Sequence, residues 1–178
     1  MNYILFDDKS RERLFPLTFT KPVAELRVGI LKIVEKWKKN LSSEISFYTA
    51  LYLREKFPVV LKDDNILING SVLPNKELVN SISNLKLGQS IIYNDILIAI
   101  RCSGVEVEQD IIENYSKSTP VDFSGTISSI KHPEDVFSLN GVEIENDFLK
   151  LTEGRLSQEI SKTMQVISPE NVFIEEGA

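Results

Sequence analysis

The sequence predicts a single α/β domain, a mixed and mostly parallel sheet flanked by helices, and three observations carry that reading. Short apolar runs alternate with helical-period segments through the first half, as strands joined by crossover helices do. Two apolar runs then flank Asn94-Asp95, a two-residue spacing that suits a hairpin and makes the sheet mixed. With 178 residues and 42% hydrophobic content, the chain is long enough for one sizeable core and too short for two.

Each element follows from its local pattern. Tyr3 to Phe6 is apolar and stops abruptly at Asp7-Asp8, as a buried strand does on leaving a sheet edge. Residues Lys9 to Leu26 hold Pro16 and Pro22 with no helical period, which predicts a long ordered loop. From Gly29 to Leu41, apolar residues at Ile30, Ile33, Val34 and Trp37 follow the spacing of an amphipathic helix. Ile45 to Tyr48 is a second strand, and Leu51 to Phe57 a short helix stopped by Pro58. Asn65 to Gly70 reads as a buried strand ending at a glycine, and Lys76 to Leu85 as a helix. Ile91 to Tyr93 and Ile96 to Ile100 are the hairpin strands. Val105 to Glu108 is expected to be an edge strand and Gln109 to Tyr115 a short helix. His132-Pro133-Glu134-Asp135 opens a helix with proline and acids in its first turn. A further helical stretch is expected from Gly141 to Leu151.

Composition narrows the function. A formal charge of -6 and a pI near 5.0 argue against nucleic-acid and membrane-surface partners, which need a basic face. No run approaches a membrane span, and the start has too short an apolar stretch for a signal peptide. The one cysteine, Cys102, cannot form an intrachain disulfide, which fits a reducing compartment and a cytoplasmic protein. His132 is the only histidine and has no Cys or Ser partner nearby, so neither a nucleophilic triad nor a zinc site is indicated.

Charge is unevenly spread. Lys9 to Lys39 carries nine basic residues against three acidic ones, on an otherwise acidic chain. Such asymmetry points to one anion-attracting region. Lys36, Lys38 and Lys39 are read as solvating a helix end, where cations suit the macrodipole. Aromatic residues do not interleave with the cations as a base-stacking platform requires.

Three motifs then stand together: Asn2-Tyr3-Ile4-Leu5-Phe6-Asp7; Arg11-x-x-Leu14-x-Pro16-Leu17-Thr18-x-Thr20-Lys21-Pro22-Val23-Ala24; and Leu26-Arg27-x-Gly29-Ile30-Leu31. With Asn69, Leu73-Pro74-Asn75, Pro133-x-Asp135-x-Phe137-x-x-Asn140, Asp147-Phe148 and the closing Asn171-x-Phe173-Ile174-Glu175-Glu176-Gly177-Ala178, they cover most of the chain. This set resembles the sugar-nucleotidyltransferase-like family that forms the front half of two-domain proteins continuing into a left-handed β-helix acyltransferase. The layout is similar to that of the bifunctional N-acetylglucosamine-1-phosphate uridylyltransferase/acetyltransferases. The resemblance implies a shortened, Rossmann-like nucleotide-diphospho-sugar transferase fold over 1–167. Residues 168–178 are then a linker and the first rung of a β-helix, an arrangement in which the complete protein is a homotrimer.

What the resemblance implies for the site follows residue by residue. Arg11 takes the place of the loop arginine that grips phosphate oxygens through its planar fork, and Lys21 that of the lysine near the Pro-Lys motif. Leu5, Phe6, Asp7, Arg13, Arg27, Asn69 and Gly70 would border the nucleotide. Two departures stand out. The glycine-rich loop of active relatives is replaced by Phe6-Asp7-Asp8-Lys9-Ser10, and their metal-binding Gly-Asp by Asn69-Gly70-Ser71. Asp7 or Asp8, beside the phosphate site, is the alternative ligand for Mg²⁺. A capping role or a salt bridge to Arg11 or Arg13 is the competing reading of those two residues.

Two functions are therefore expected. One is transfer of a nucleotidyl group from a nucleoside triphosphate to a sugar 1-phosphate, releasing pyrophosphate. The other is a catalytically degenerate domain that binds a nucleotide sugar or supports an attached acyltransferase.

Overall fold

The computed structural model describes residues 1–178 except 111 and 162. Its six strands are β1 (Asn2–Phe6), β2 (Ile45–Tyr48), β3 (Asn65–Asn69), β4 (Gln89–Tyr93), β5 (Ile96–Cys102) and β6 (Thr119–Val121), with spatial order β2-β1-β3-β5-β4-β6. β1 runs parallel to both β2 and β3, β5 is antiparallel to β3 and β4, and β6 is parallel to β4. The sheet is thus mixed and mostly parallel, as expected.

The helices are α1 (Ser10–Arg13), α2 (Ile33–Leu41), α3 (Lys76–Ser83), α4 (Gly104–Glu108) and α5 (Pro133–Thr152). Because strand side chains alternate between faces, Tyr3, Leu5, Ile66 and Ile68 enter a large core with Val34, Trp37, Leu78 and Ile82 of α2 and α3. Ile4, Phe6, Leu67 and Ile100 enter a smaller core with Val107 of α4. The central strands β1 and β3 are buried along their whole length, which is why they read as continuous apolar runs.

Several boundaries differ from the sequence reading, each for a local reason. Within the expected long loop, residues 10–13 close one helical turn, with the Leu14 amide donating to Ser10 O at 3.1 Å. α2 begins at Ile33 rather than Gly29. Gly29 takes φ +82°, Arg27 bridges Lys32, and Glu35 accepts the Lys32 amide at 2.7 Å, so residues 27–32 form a bend before the helix. The helix expected at Leu51 to Phe57 is a 3₁₀ turn over Leu51–Leu53 followed by further turns.

Val105 to Glu108, expected as an edge strand, lies in α4. Ser103 and Glu106 form a reciprocal cap there, with the Ser103 amide donating to Glu106 Oε2 at 2.8 Å and the Glu106 amide to Ser103 Oγ at 3.3 Å. The helix expected at Gln109 to Tyr115 includes residue 111, outside the described residues, and its described part is turns leading to a 3₁₀ turn at Tyr115–Lys117. β6 was not anticipated, because Pro120 interrupts it. As an edge strand paired only to β4, it tolerates that proline. The two helical stretches expected after His132 are one helix of 20 residues.

The hairpin turn is as expected, Asn94 and Asp95 both adopting positive φ. After α5 the chain has no strand among the described residues, and Ile174 folds back on Ser157-Gln158 through two hydrogen bonds.

α5 is fastened to the loop before α2. Asn140 accepts the Gly29 amide at 2.9 Å, and Asp147 Oδ2 accepts those of Ile30 and Leu31 at 2.9 and 3.0 Å. A Cβ on Gly29 would lie 2.7 Å from Asp147 Oδ2 and from the Glu143 backbone, so only glycine fits beneath the helix. Lys36, buried on α2, donates to Glu143 and Asp147 at 2.7 and 2.5 Å.

Candidate functional site

The strand order reverses at β1: the chain crosses to β2 on one side and returns to β3 on the other. In open α/β sheets the crevice beyond the carboxyl ends of such strands is where ligands bind. Here it is formed by the residues after β1, Asp7 to Ser10, and the residues after β3, Gly70 and Ser71.

The two strand ends are laced together. Gly70 donates its amide to Phe6 O at 2.8 Å, and a Cβ on Gly70 would come within 3.1 Å of that oxygen. Asn69 Nδ2 donates to Asp8 Oδ2 at 2.9 Å and to Leu97 O at 3.1 Å, while Asn69 Oδ1 accepts the Ser71 amide and hydroxyl at 3.0 and 2.8 Å. The other Asp8 oxygen accepts the Ser10 amide at 2.9 Å and the Ser10 hydroxyl. Asp8 is therefore fixed at the strand end from both sides.

Three adjoining cavities meet at Asp8. The first, of about 360 Å³, runs past Lys9 and Arg13 to Ile96 and Tyr115. A second, of about 310 Å³, opens toward Thr49 and Tyr48, and a third, of about 30 Å³, reaches Ser71, Ser129 and Lys131. Lys9, Arg13 and Lys131 line them and stand in no ion pair among the described residues. The result is a polar crevice in which three cations free of ion pairs among the described residues stand beside Asp8, with Asp7, Glu12, Asp95 and Glu113 also on its walls.

Asp7 is placed differently. Its carboxylate accepts the Val23 amide at 2.9 Å and the Thr49 hydroxyl, and lies 3.3 Å from Arg11 Nε, with its side chain 6% exposed. Burial pushes its carboxyl above the ordinary 3.8, outweighing the opposing pull of Thr49, Val23 and Arg11. Asp7 thus ties the loop to the end of β2, at the wall of the second cavity. No group of three potential metal-ligating residues occurs among those described. Asp8 alone would hold Mg²⁺ only together with waters and the oxygens of a bound phosphate.

Arg11 is likewise turned to structural use. It is 8% exposed, donates through Nη2 to Thr18 O at 2.7 Å and to the Tyr52 hydroxyl at 2.5 Å, and lies between the rings of Phe15 and Tyr52. Its Nε is within ion-pair distance of Asp7 yet is not aligned to donate a hydrogen bond. Lys21 and Arg27 do not line the cavities around Asp8, and Arg27 folds onto Ile30 O. Leu5 is in the core, whereas Phe6 forms part of the crevice floor. Asn69 and Gly70 shape the crevice through the bonds above.

Of the predicted residues, then, the fold brings Phe6, Asp7, Asp8, Arg11, Arg13, Asn69 and Gly70 together, Asp7 and Arg11 with their side chains tied into the loop, and sets Lys21 and Arg27 apart. Sequence reasoning missed Lys131, Ser129 and Tyr115. Lys131 precedes the His-Pro helix start and carries no local signature; it reaches the crevice because Val72 bridges Ser129 and Ile130 donates to Ser71 O.

Fold and crevice together define an α/β protein with a charged, polar crevice at the switch point of its sheet. A family model described as sugar nucleotidyl transferase matches residues 3–156, and the chain belongs to that family. Among solved structures it is similar to one assigned as a glucose-1-phosphate thymidylyltransferase from Bacillus anthracis in complex with a sucrose, at 15% identity and TM-score 0.49, over 82% of this chain and 96% of that one. It is also similar to the CTP:phosphocholine cytidylyltransferase of Streptococcus pneumoniae, at 14% identity and TM-score 0.46, over 79% and 98% of the two chains. The inositol-1-phosphate CTP transferase of T. maritima aligns at 12% identity and TM-score 0.41, over 87% and 97%. No curated protein matches the chain. No helix among the described residues is long and apolar enough to cross a membrane.

Proposed function

We propose that the crevice at the ends of β1 and β3 binds a nucleoside triphosphate and a sugar 1-phosphate, and that the domain transfers the nucleotidyl group with release of pyrophosphate. The observation that carries this reading is the convergence of Lys9, Arg13 and Lys131, free of ion pairs among the described residues, on one crevice at the switch point of a chain of this family. In the transfer, a phosphate oxygen of the sugar 1-phosphate attacks the α-phosphorus, and the bond to the bridging oxygen of the leaving pyrophosphate breaks. Charge builds on the phosphoryl oxygens as this happens, and fixed cations beside them lower its cost. Arg13 offers a planar fork for two oxygens, and Lys9 and Lys131 act as point charges. Asp8 and Asn69 hold the loop in register, while Arg11 and Asp7 brace it from behind. Lys21 and Arg27 take part only if the loop closes over a bound triphosphate. The test is pyrophosphate release measured across several triphosphates and sugar 1-phosphates, with Arg13→Ala and Lys131→Ala as controls. Turnover that falls about tenfold or more in each variant is expected from loss of one charged hydrogen-bond donor. No turnover with any pair sinks the reading.

A second reading, recognition of a nucleotide sugar without chemistry, is favoured by the buried Asp7 and by Ser71 standing where active relatives carry a carboxylate. Calorimetry in the presence of a chelator separates the two, since binding without turnover supports recognition. The closing motif Asn171 to Ala178 supports a wider layout in which residues 168–178 lead into a left-handed β-helix acyltransferase and the whole protein is a homotrimer. Cys102, a free and buried thiol, is consistent with a cytoplasmic setting.

A further inference from the structure

A second cavity, of about 250 Å³, lies where α2, α3 and α5 meet, and it shares no lining residue with the cavities around Asp8. Four lysines border it: Lys36 and Lys39 from α2, Lys76 from α3 and Lys150 from α5. Two carboxylates border it too, but both are already occupied. Asp147 is held by Lys36 at 2.5 Å and by the amides of Ile30 and Leu31, and Glu143 is held by Lys36 at 2.7 Å. The buried Lys36 is hydrogen-bonded to both carboxylates, and with four lysines against two carboxylates the lining keeps a net charge of +2. Lys39 and Lys76 stand in no ion pair among the described residues, and Lys150 has only an exposed contact with Glu153 at 3.4 Å.

We infer that this cavity is a second anion site that takes the phosphoryl group of a small phosphorylated metabolite. Lys39, Lys76 and Lys150 are exposed lysines on the rim, one from each of three helices, and a net charge of +2 suits a phosphate dianion better than a carboxylate, which offers two oxygens and one charge. The volume is several times the share of one water molecule, about 30 Å³ in the liquid, so a phosphate fits with room for the start of an organic group. Occupancy would tie α2, α3 and α5 together and stabilise the folded chain by mass action.

The experiment is an NMR titration of the whole chain with inorganic phosphate, following backbone amides and using sodium chloride at matched ionic strength as the control. Amides at 39–40, 75–76 and 146–150 shift and saturate with phosphate alone. In Lys39→Ala/Lys76→Ala their apparent Kd rises by about tenfold for each lysine removed, as loss of a charged hydrogen bond implies. Arg13→Ala, in the other crevice, leaves them titrating as before. Shifts that match the chloride control, that fail to saturate, or that persist unchanged in the double variant overturn the inference.

Discussion

Asp147 of α5 stands 2.5 Å from the ammonium of Lys36 on α2, both side chains about 5% exposed or less, so the longest helix is docked through a buried ion pair. Glu143 completes the triad at 2.7 Å. Removing Asp147 leaves the buried Lys36 with Glu143 alone and takes the acceptor from the Ile30 and Leu31 amides. Asp147→Ala is expected to cost about 3–5 kcal/mol in urea unfolding. Replacing the whole triad with neutral residues that keep an acceptor for those amides, as in Lys36→Met/Glu143→Leu/Asp147→Asn, is expected to cost less than the single change.

Arg11 and Arg13, two residues apart, are expected to fail in different ways. Arg11 is sealed between Phe15 and Tyr52 and donates to Thr18 O, so Arg11→Ala removes packing and leaves buried acceptors unpaired. The expected loss is about 2–4 kcal/mol of stability. Arg13 is exposed and lines the crevice. Its alanine variant is expected to unfold within about 0.5 kcal/mol of the parent while binding triphosphate about tenfold more weakly, read by calorimetry.

Two aspartates contribute to the pH dependence of stability with opposite sign. Burial raises the Asp7 carboxyl above 3.8, so between 3.8 and that raised value the folded chain holds a proton that the unfolded chain has released. Its contribution to stability therefore falls as pH rises through this window. Asp64 is held below 3.8 by its hydrogen bonds with Arg101, at 2.8 and 2.6 Å, and its contribution is present above 3.8 and lost as pH falls through the lowered value. Urea unfolding of Asp7→Asn and Asp64→Asn against pH should show difference curves of opposite slope. Slopes of the same sign would refute the assignment.

Cys102 lies at 1% exposure, and burial pushes its thiol up to about 12. At neutral pH its thiolate fraction is about a thousandfold below that of a free cysteine. Alkylation of the folded protein should be correspondingly slow and should become rapid on unfolding in urea. Labelling of the native chain at the free-thiol rate would contradict this.

The strands were legible because burial wrote itself into composition. β1 and β3 are covered on both faces, and their apolar runs end at Phe6 and Asn69, where the crevice begins. β2 was found from four residues whose neighbours break the pattern on both sides. What failed to read was capping and edge chemistry. Ser103 and Glu106 spell a capping box, yet the β-branched Val105 and Val107 between and after them suggest a strand. β6 escaped because its proline is tolerated only at an edge, which is a property of the assembled sheet. In the crevice, the position of Asp8 followed from its place after β1, and Asn69 and Gly70 from theirs after β3. The fate of Arg11 depended on Tyr52, 41 residues away, and that of Asp7 on Thr49. No local pattern in the loop discloses those partners, nor does any announce Lys131.

The dock between α5 and α2 also sets an order of events during synthesis. Lys36 is 111 residues ahead of Asp147, and the amides of Ile30 and Leu31 wait across a similar interval. At the pace of translation, that is on the order of ten seconds during which β1, α2 and β3 exist without the helix that covers Lys36. A nascent chain paused before Glu143 carries an uncompensated lysine at the seam where α5 will dock. The domain can therefore close only when nearly all of its sequence has left the ribosome.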